Sequence, residues 1–168
     1  MVNLNQNQVL ADARPISHIR VVVHTGAATD GSDNHWSIYL LLRAGGSVRV
    51  NMVTEYGEID GRLEWSNLTY LLTNSAIRHW DYPVTMAIEV RHVADTIYRN
   101  FRHRYQFSGG GSGCRFWVRT IVYDMESESR RYIAVGTSND LWRHLQYLYR
   151  RDRDPLQVNW VQGTFITP

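Results

Sequence analysis

The chain contains no lysine; all 18 of its basic residues are arginine. That absence excludes Schiff-base catalysis, a covalently held pyridoxal cofactor and the phosphate-binding lysine of a P-loop. Cysteine occurs once in 168 residues, at Cys114. An internal disulfide is thereby excluded, and one thiol suits a reducing compartment, so a cytoplasmic location is expected. Metal-binding spacings are missing too. No His-x-x-x-His or His-x-His occurs and Cys114 has no cysteine partner, so no metal is expected, and no other cofactor. No apolar run approaches the ~18 residues of a membrane span. The polar start, Met1 to Gln8, lacks the apolar centre of a secretory signal. A large excess of one charge is also lacking. A net charge of +2 gives no reason to expect nucleic acid as a partner. The one basic cluster, Arg143, Arg150, Arg151 and Arg153, is interleaved with Asp152 and Asp154, which fits a solvated helix end better than a phosphate site.

What remains is an ordinary globular composition. Hydrophobic residues make up 43% and charged residues 20%, and the length suits one domain over 1–168 with a proper core. Residues 1–16 read as a loosely ordered arm. Ile19 to Thr25 reads as a strand. The alternation of Trp36, Ile38 and Leu40 with Ser37, Tyr39 and Leu41, then Ser47 to Met52 after Gly45-Gly46, predicts a hairpin over 35–42 and 47–52. Leu63 to Leu72 reads as another strand, and 74–83 as irregular. Val84 to Ile88 fits either a strand or the approach to a helix. Val90, Val93, Ala94, Ile97, Tyr98 and Phe101 mark an amphipathic helix. Tyr105 to Phe107 is extended, and Ser138-Asn139-Asp140 caps a helix expected to run to about Arg151. Val158 to Ile166 reads as a closing strand. The expected class is α+β, an antiparallel sheet packed against about three helices.

The chemistry centres on Cys114. Cys114, Trp117, Val118, Ile121 and Met125 recur at a helix period, after the glycine-rich stretch Gly109 to Gly113. The thiol therefore falls in a first helical turn, where the macrodipole and unpaired N–H groups favour an anion. A lone cysteine is otherwise a small buried hydrophobe. His35 begins its strand, and Asn51 lies on the next strand near the same end of the hairpin. Thiol, imidazole and amide together have the parts of a nucleophilic triad: nucleophile, base and orienting group. A thiol within about 4 Å of an imidazole nitrogen is the expected geometry. His24, ending the preceding strand, is an alternative base or a substrate-binding group. Asp124 sits too far along the cysteine helix to orient His35. Trp36, Tyr39 and Trp117 are candidate walls of an acyl pocket. The amides near Gly113 and Cys114 are candidate oxyanion donors.

The runs His35-Trp36-Ser37-Ile38-Tyr39 and Cys114-Arg115-Phe116-Trp117-Val118 resemble the two signature blocks of lecithin:retinol acyltransferase-like proteins. These form the circularly permuted branch of the NlpC/P60 papain-like superfamily. The resemblance covers about residues 34–126. It implies a permuted papain-like fold with Cys114 as nucleophile, His35 as base and Asn51 as the third member. The family usually has a second histidine where this chain has Asn51, which gives a Cys-His-Asn set and weakens the case for the family's lipid substrates. The same blocks also resemble a single-domain family of filamentous fungi, which implies a setting in fungal natural-product metabolism.

Two functions are expected in competition. One is acyl transfer through Cys114 on a small acyl substrate, ending in hydrolysis, transfer or cyclisation. The other is a non-covalent small-molecule-binding domain, or a cyclase or isomerase, in which Cys114 is structural. The oligomeric state is not legible.

Overall fold

The computed structural model describes residues 1–25, 34–55, 57–108, 113–159 and 161–168. The loop read at 26–33 and the glycines before Gly113 lie outside them. Six strands form one antiparallel sheet: β1 (Val2–Leu4), β2 (Ile16–His24), β3 (His35–Leu42), β4 (Ser47–Val53), β5 (Arg62–Leu68) and β6 (Ala76–Pro83). Their order across the sheet is β1-β5-β4-β3-β2-β6. Four helices accompany it: α1 (Gln6–Leu10), α2 (Val90–Arg99), α3 (Cys114–Ser127) and α4 (Thr137–His144). Two small ribbons complete the fold. β7 (Tyr105–Gln106) pairs with β10 (Thr164–Phe165), and β8 (Tyr147–Arg150) with β9 (Arg153–Gln157). The class is α+β, as the alternating and helical periods predict.

The pleat sorts the sheet into two faces. Ile19, Val21 and Val23 of β2, Trp36, Ile38 and Leu40 of β3, and Val48, Val50 and Met52 of β4 share one core with α2 and α3. Val93, Ala94 and Ile97 come from α2, and Trp117, Val118, Ile121 and Met125 from α3. The other face carries Val22, Tyr39, Leu41 and Leu68 as a smaller apolar cluster. Polar groups surround that cluster. Residues 69–75 connect β5 to β6, which stand on opposite sides of β4, β3 and β2, so the connection crosses this second face. The Ser47 hydroxyl donates to Tyr70 O at 2.7 Å, and Arg20 to Leu71 O at 2.8 Å.

Four sequence expectations are corrected. The N-terminal residues are not a loose arm: β1 pairs with β5, and Asn5 and Gln8 close a capping box at the start of α1, whose Val9 is fully buried. Residues 76–83, expected to be irregular, form β6 because β2 offers an open edge. The helix expected over 138–151 stops at His144. Beyond it, Tyr147-Leu148-Tyr149 suits a strand, and the turn after Arg150 lets β9 pair back. Pro155 is tolerated in β9 because that strand lies at an edge. The closing strand shrinks from 158–166 to Thr164–Phe165.

Candidate active site

His35 stands at the first position of β3 on the polar face. Its Nε2 lies 2.6 Å from the Asn51 side-chain oxygen. An amide oxygen only accepts, so Nε2 carries the proton, and the lone pair of the neutral ring is on Nδ1. Burial pushes the His35 pKa below its ordinary value and Arg49 adds to that, while the Asn51 bond and Glu64 oppose it. The ring is therefore mostly neutral at pH 7, with Nδ1 able to take a proton.

His24, expected as an alternative base, pairs directly across from His35, their ring centroids 5.6 Å apart. Its Nδ1 meets the Ser75 hydroxyl at 2.8 Å and its Nε2 the Ser37 hydroxyl at 2.5 Å. Burial, then His35 and Arg49, lower its pKa to about 3. With both nitrogens engaged, it is a neutral bridge between β2, β3 and the crossing segment.

Cys114 opens α3 on the other face. It is buried in the helix-side core, and its Sγ donates to the Asn34 carbonyl oxygen at 3.6 Å. The thiol thus bonds to the peptide that leads into His35. The thiol's described bond goes to Asn34 and the imidazole's to Asn51. The proposed nucleophile and base lie on opposite sides of the same strand end.

Three groups that the sequence did not single out position this end. The Asn34 amide donates to His24 O at 3.1 Å and to Tyr149 O at 3.0 Å, and accepts from Tyr149 N at 2.7 Å. It ties β2, β3 and β8 together beneath the thiol. Tyr105 donates to Gly113 O at 2.6 Å and accepts from Gly163 N at 3.1 Å. Burial raises its pKa, so the hydroxyl stays a donor. It pins the residue that caps α3, Gly113, whose φ of 120° suits glycine. Gly163 is required in turn, because a Cβ there would overlap the Tyr105 ring. Arg49 is the third, on the polar face opposite Tyr39. The only sequence signals were Asn34 beside His35, and isolated glycines without context.

The candidate pocket residues divide. Tyr39 lies on the polar face two positions beyond Ser37. Trp36 and Trp117 are fully buried on the helix side. Trp36 stacks on Trp80 at 5.5 Å with the Arg115 guanidinium 5.8 Å from its ring, and Trp117 Nε1 donates to Arg102 O at 2.8 Å. Asp124 pairs with Arg102 rather than facing any histidine. Among the described residues, no three His, Cys, Asp or Glu side chains converge as a metal site, and no helix is long and apolar enough to cross a membrane. No curated protein and no solved structure matches the chain. A family model matches residues 19–166, from within β2 through β10, and the chain belongs to the family it describes, domain of unknown function DUF7770.

Proposed function

We propose that the chain is a cysteine-dependent acyl-transfer enzyme of permuted papain-like architecture, with Cys114 as nucleophile, His35 as base and Asn51 as orienting group. The observation that carries this reading is the 2.6 Å bond from His35 Nε2 to Asn51, which leaves Nδ1 as the basic nitrogen at the strand end whose Asn34 carbonyl accepts from the helix-start thiol. In the reaction, the thiol turns from the Asn34 carbonyl around the strand end, and Nδ1 takes its proton. The sulfur attacks the acyl carbon of a thioester, ester or amide, and α3's N-terminus stabilises the oxyanion. The acyl–heteroatom bond breaks, and the imidazolium returns the proton to the leaving group. Water, an alcohol or an amine, or a nucleophile within the substrate, then releases the acyl group from Cys114. No metal is needed for these steps.

The placement of thiol and imidazole on opposite faces favours a second reading, non-covalent binding or acid–base chemistry on the polar face with Cys114 structural. Iodoacetamide separates the two. On the first reading it labels Cys114 in the folded protein well below pH 8, Cys114→Ala abolishes acyl-enzyme formation seen by mass spectrometry, and Asn51→Ala reduces turnover less than Cys114→Ala does. A thiol that reacts only after unfolding makes the first reading wrong.

A further inference from the structure

On the polar face, Tyr39 and Arg49 are direct cross-strand partners. Tyr39 is fully buried, and its hydroxyl, beside the Arg49 and Ser37 side chains, makes no well-formed hydrogen bond among the described residues; Arg49 Nε is buried and makes none either. The rest of the guanidinium is poorly satisfied. Its Nη2 reaches only the Met1 thioether at 3.5 Å and the Ser66 hydroxyl at 3.4 Å. A thioether is a weak acceptor and easily displaced. Among the described residues, no carboxylate pairs with Arg49, whereas Arg14, Arg20, Arg62, Arg91, Arg99, Arg102 and Arg143 all have one. Two poorly satisfied donors on adjacent strands, one carrying a fixed positive charge, call for an acceptor with a single negative charge. One guanidinium in a chain without lysine suits a monoanion better than a phosphate dianion.

We propose that Arg49 and Tyr39 bind a carboxylate. Arg49 lies two residues before Asn51 on β4, about 7 Å along the strand at ~3.4 Å per residue. On the acyl-transfer reading, on which this step rests, the substrate is therefore a carboxylic acid whose reacting carbonyl is separated from its carboxylate by a short spacer. Met1 leaves Arg49 when the anion enters.

The test uses butyrate and its neutral isostere butyramide on the full chain carrying Cys114→Ala, at constant ionic strength. Butyrate at saturating concentration should raise the melting temperature by about 2 °C or more, and butyramide should leave it unchanged. Arg49→Gln should lose the butyrate response, and Tyr39→Phe, which keeps the ring in place, should lose at least half of it. An equal response to both probes, or a full butyrate response in Tyr39→Phe or in a folded Arg49→Gln, overturns the proposal. Failure of the acyl-transfer reading shows separately, as an unreactive Cys114 in a protein that still binds butyrate.

Discussion

His24 holds its neutrality at the expense of acid stability. Its folded pKa of about 3 lies below the ordinary histidine value near 6.5. Between those values the unfolded chain takes a proton that the folded chain refuses. The stabilisation is therefore fully present above pH 6.5 and falls as pH drops towards 3, by up to about 1.4 kcal/mol per unit. Urea denaturation of the parent at pH 7.5 and pH 5 should differ by about 2 kcal/mol more than it does for His24→Gln. Parallel losses in the two proteins would mean that His24 does not stay neutral. At this scale the sequence named Cys114, His35, Asn51 and His24 from residue type and position. It did not reveal which pleat face each side chain takes relative to α3, because strand alternation gives relative sides and not which side a later helix will cover. The roles of Arg49, Asn34 and Tyr105 depend on partners 8 to 115 positions away, which no local pattern encodes.

The elements show why boundaries depend on neighbours. α2 and α3 were legible because each carries a buried stripe at the helix period. The start of α4 was not: Ser138-Asn139-Asp140 has the composition of a cap, yet the N-cap is Gly136, which has no side chain to give. Glu126 of α3 performs that service. Its carboxylate accepts from Gly136 N at 2.6 Å and Ser138 N at 3.1 Å, and also from the Ser138 hydroxyl. This accounts for a carboxylate only 8% exposed, and it welds the end of α3 to the start of α4. Glu126→Ala strands two amides and should lower the unfolding free energy by about 2–3 kcal/mol in a denaturant titration. A loss below about 0.5 kcal/mol would show that solvent replaces the carboxylate.

Across the whole molecule, the sheet is assembled from distant pieces. β1 reaches β5 and β6 reaches β2, so its two outer strands join out of sequence order. Period-two patterns predicted the central hairpin β3–β4 but carry no information on which edge a later strand will find. Removing residues 1–11 bares the edge of β5 and vacates the seat of Val9. Burial of one such side chain contributes about 1.5–3 kcal/mol, so the melting temperature should fall by roughly 4–10 °C. Light scattering should report association through the bared edge, and an unchanged melting temperature would leave β1 and α1 without a stabilising role. The ties at the thiol's end of the sheet have a further consequence, in time rather than space. Asn34 waits for Tyr149, and the Tyr105 clasp on Gly113 waits for Gly163. On a ribosome, the six strands and α3 emerge before either partner does. A nascent chain can thus hold its sheet and its cysteine helix while the seat of the thiol is still open, and translation itself delays the moment at which Cys114 is locked into place.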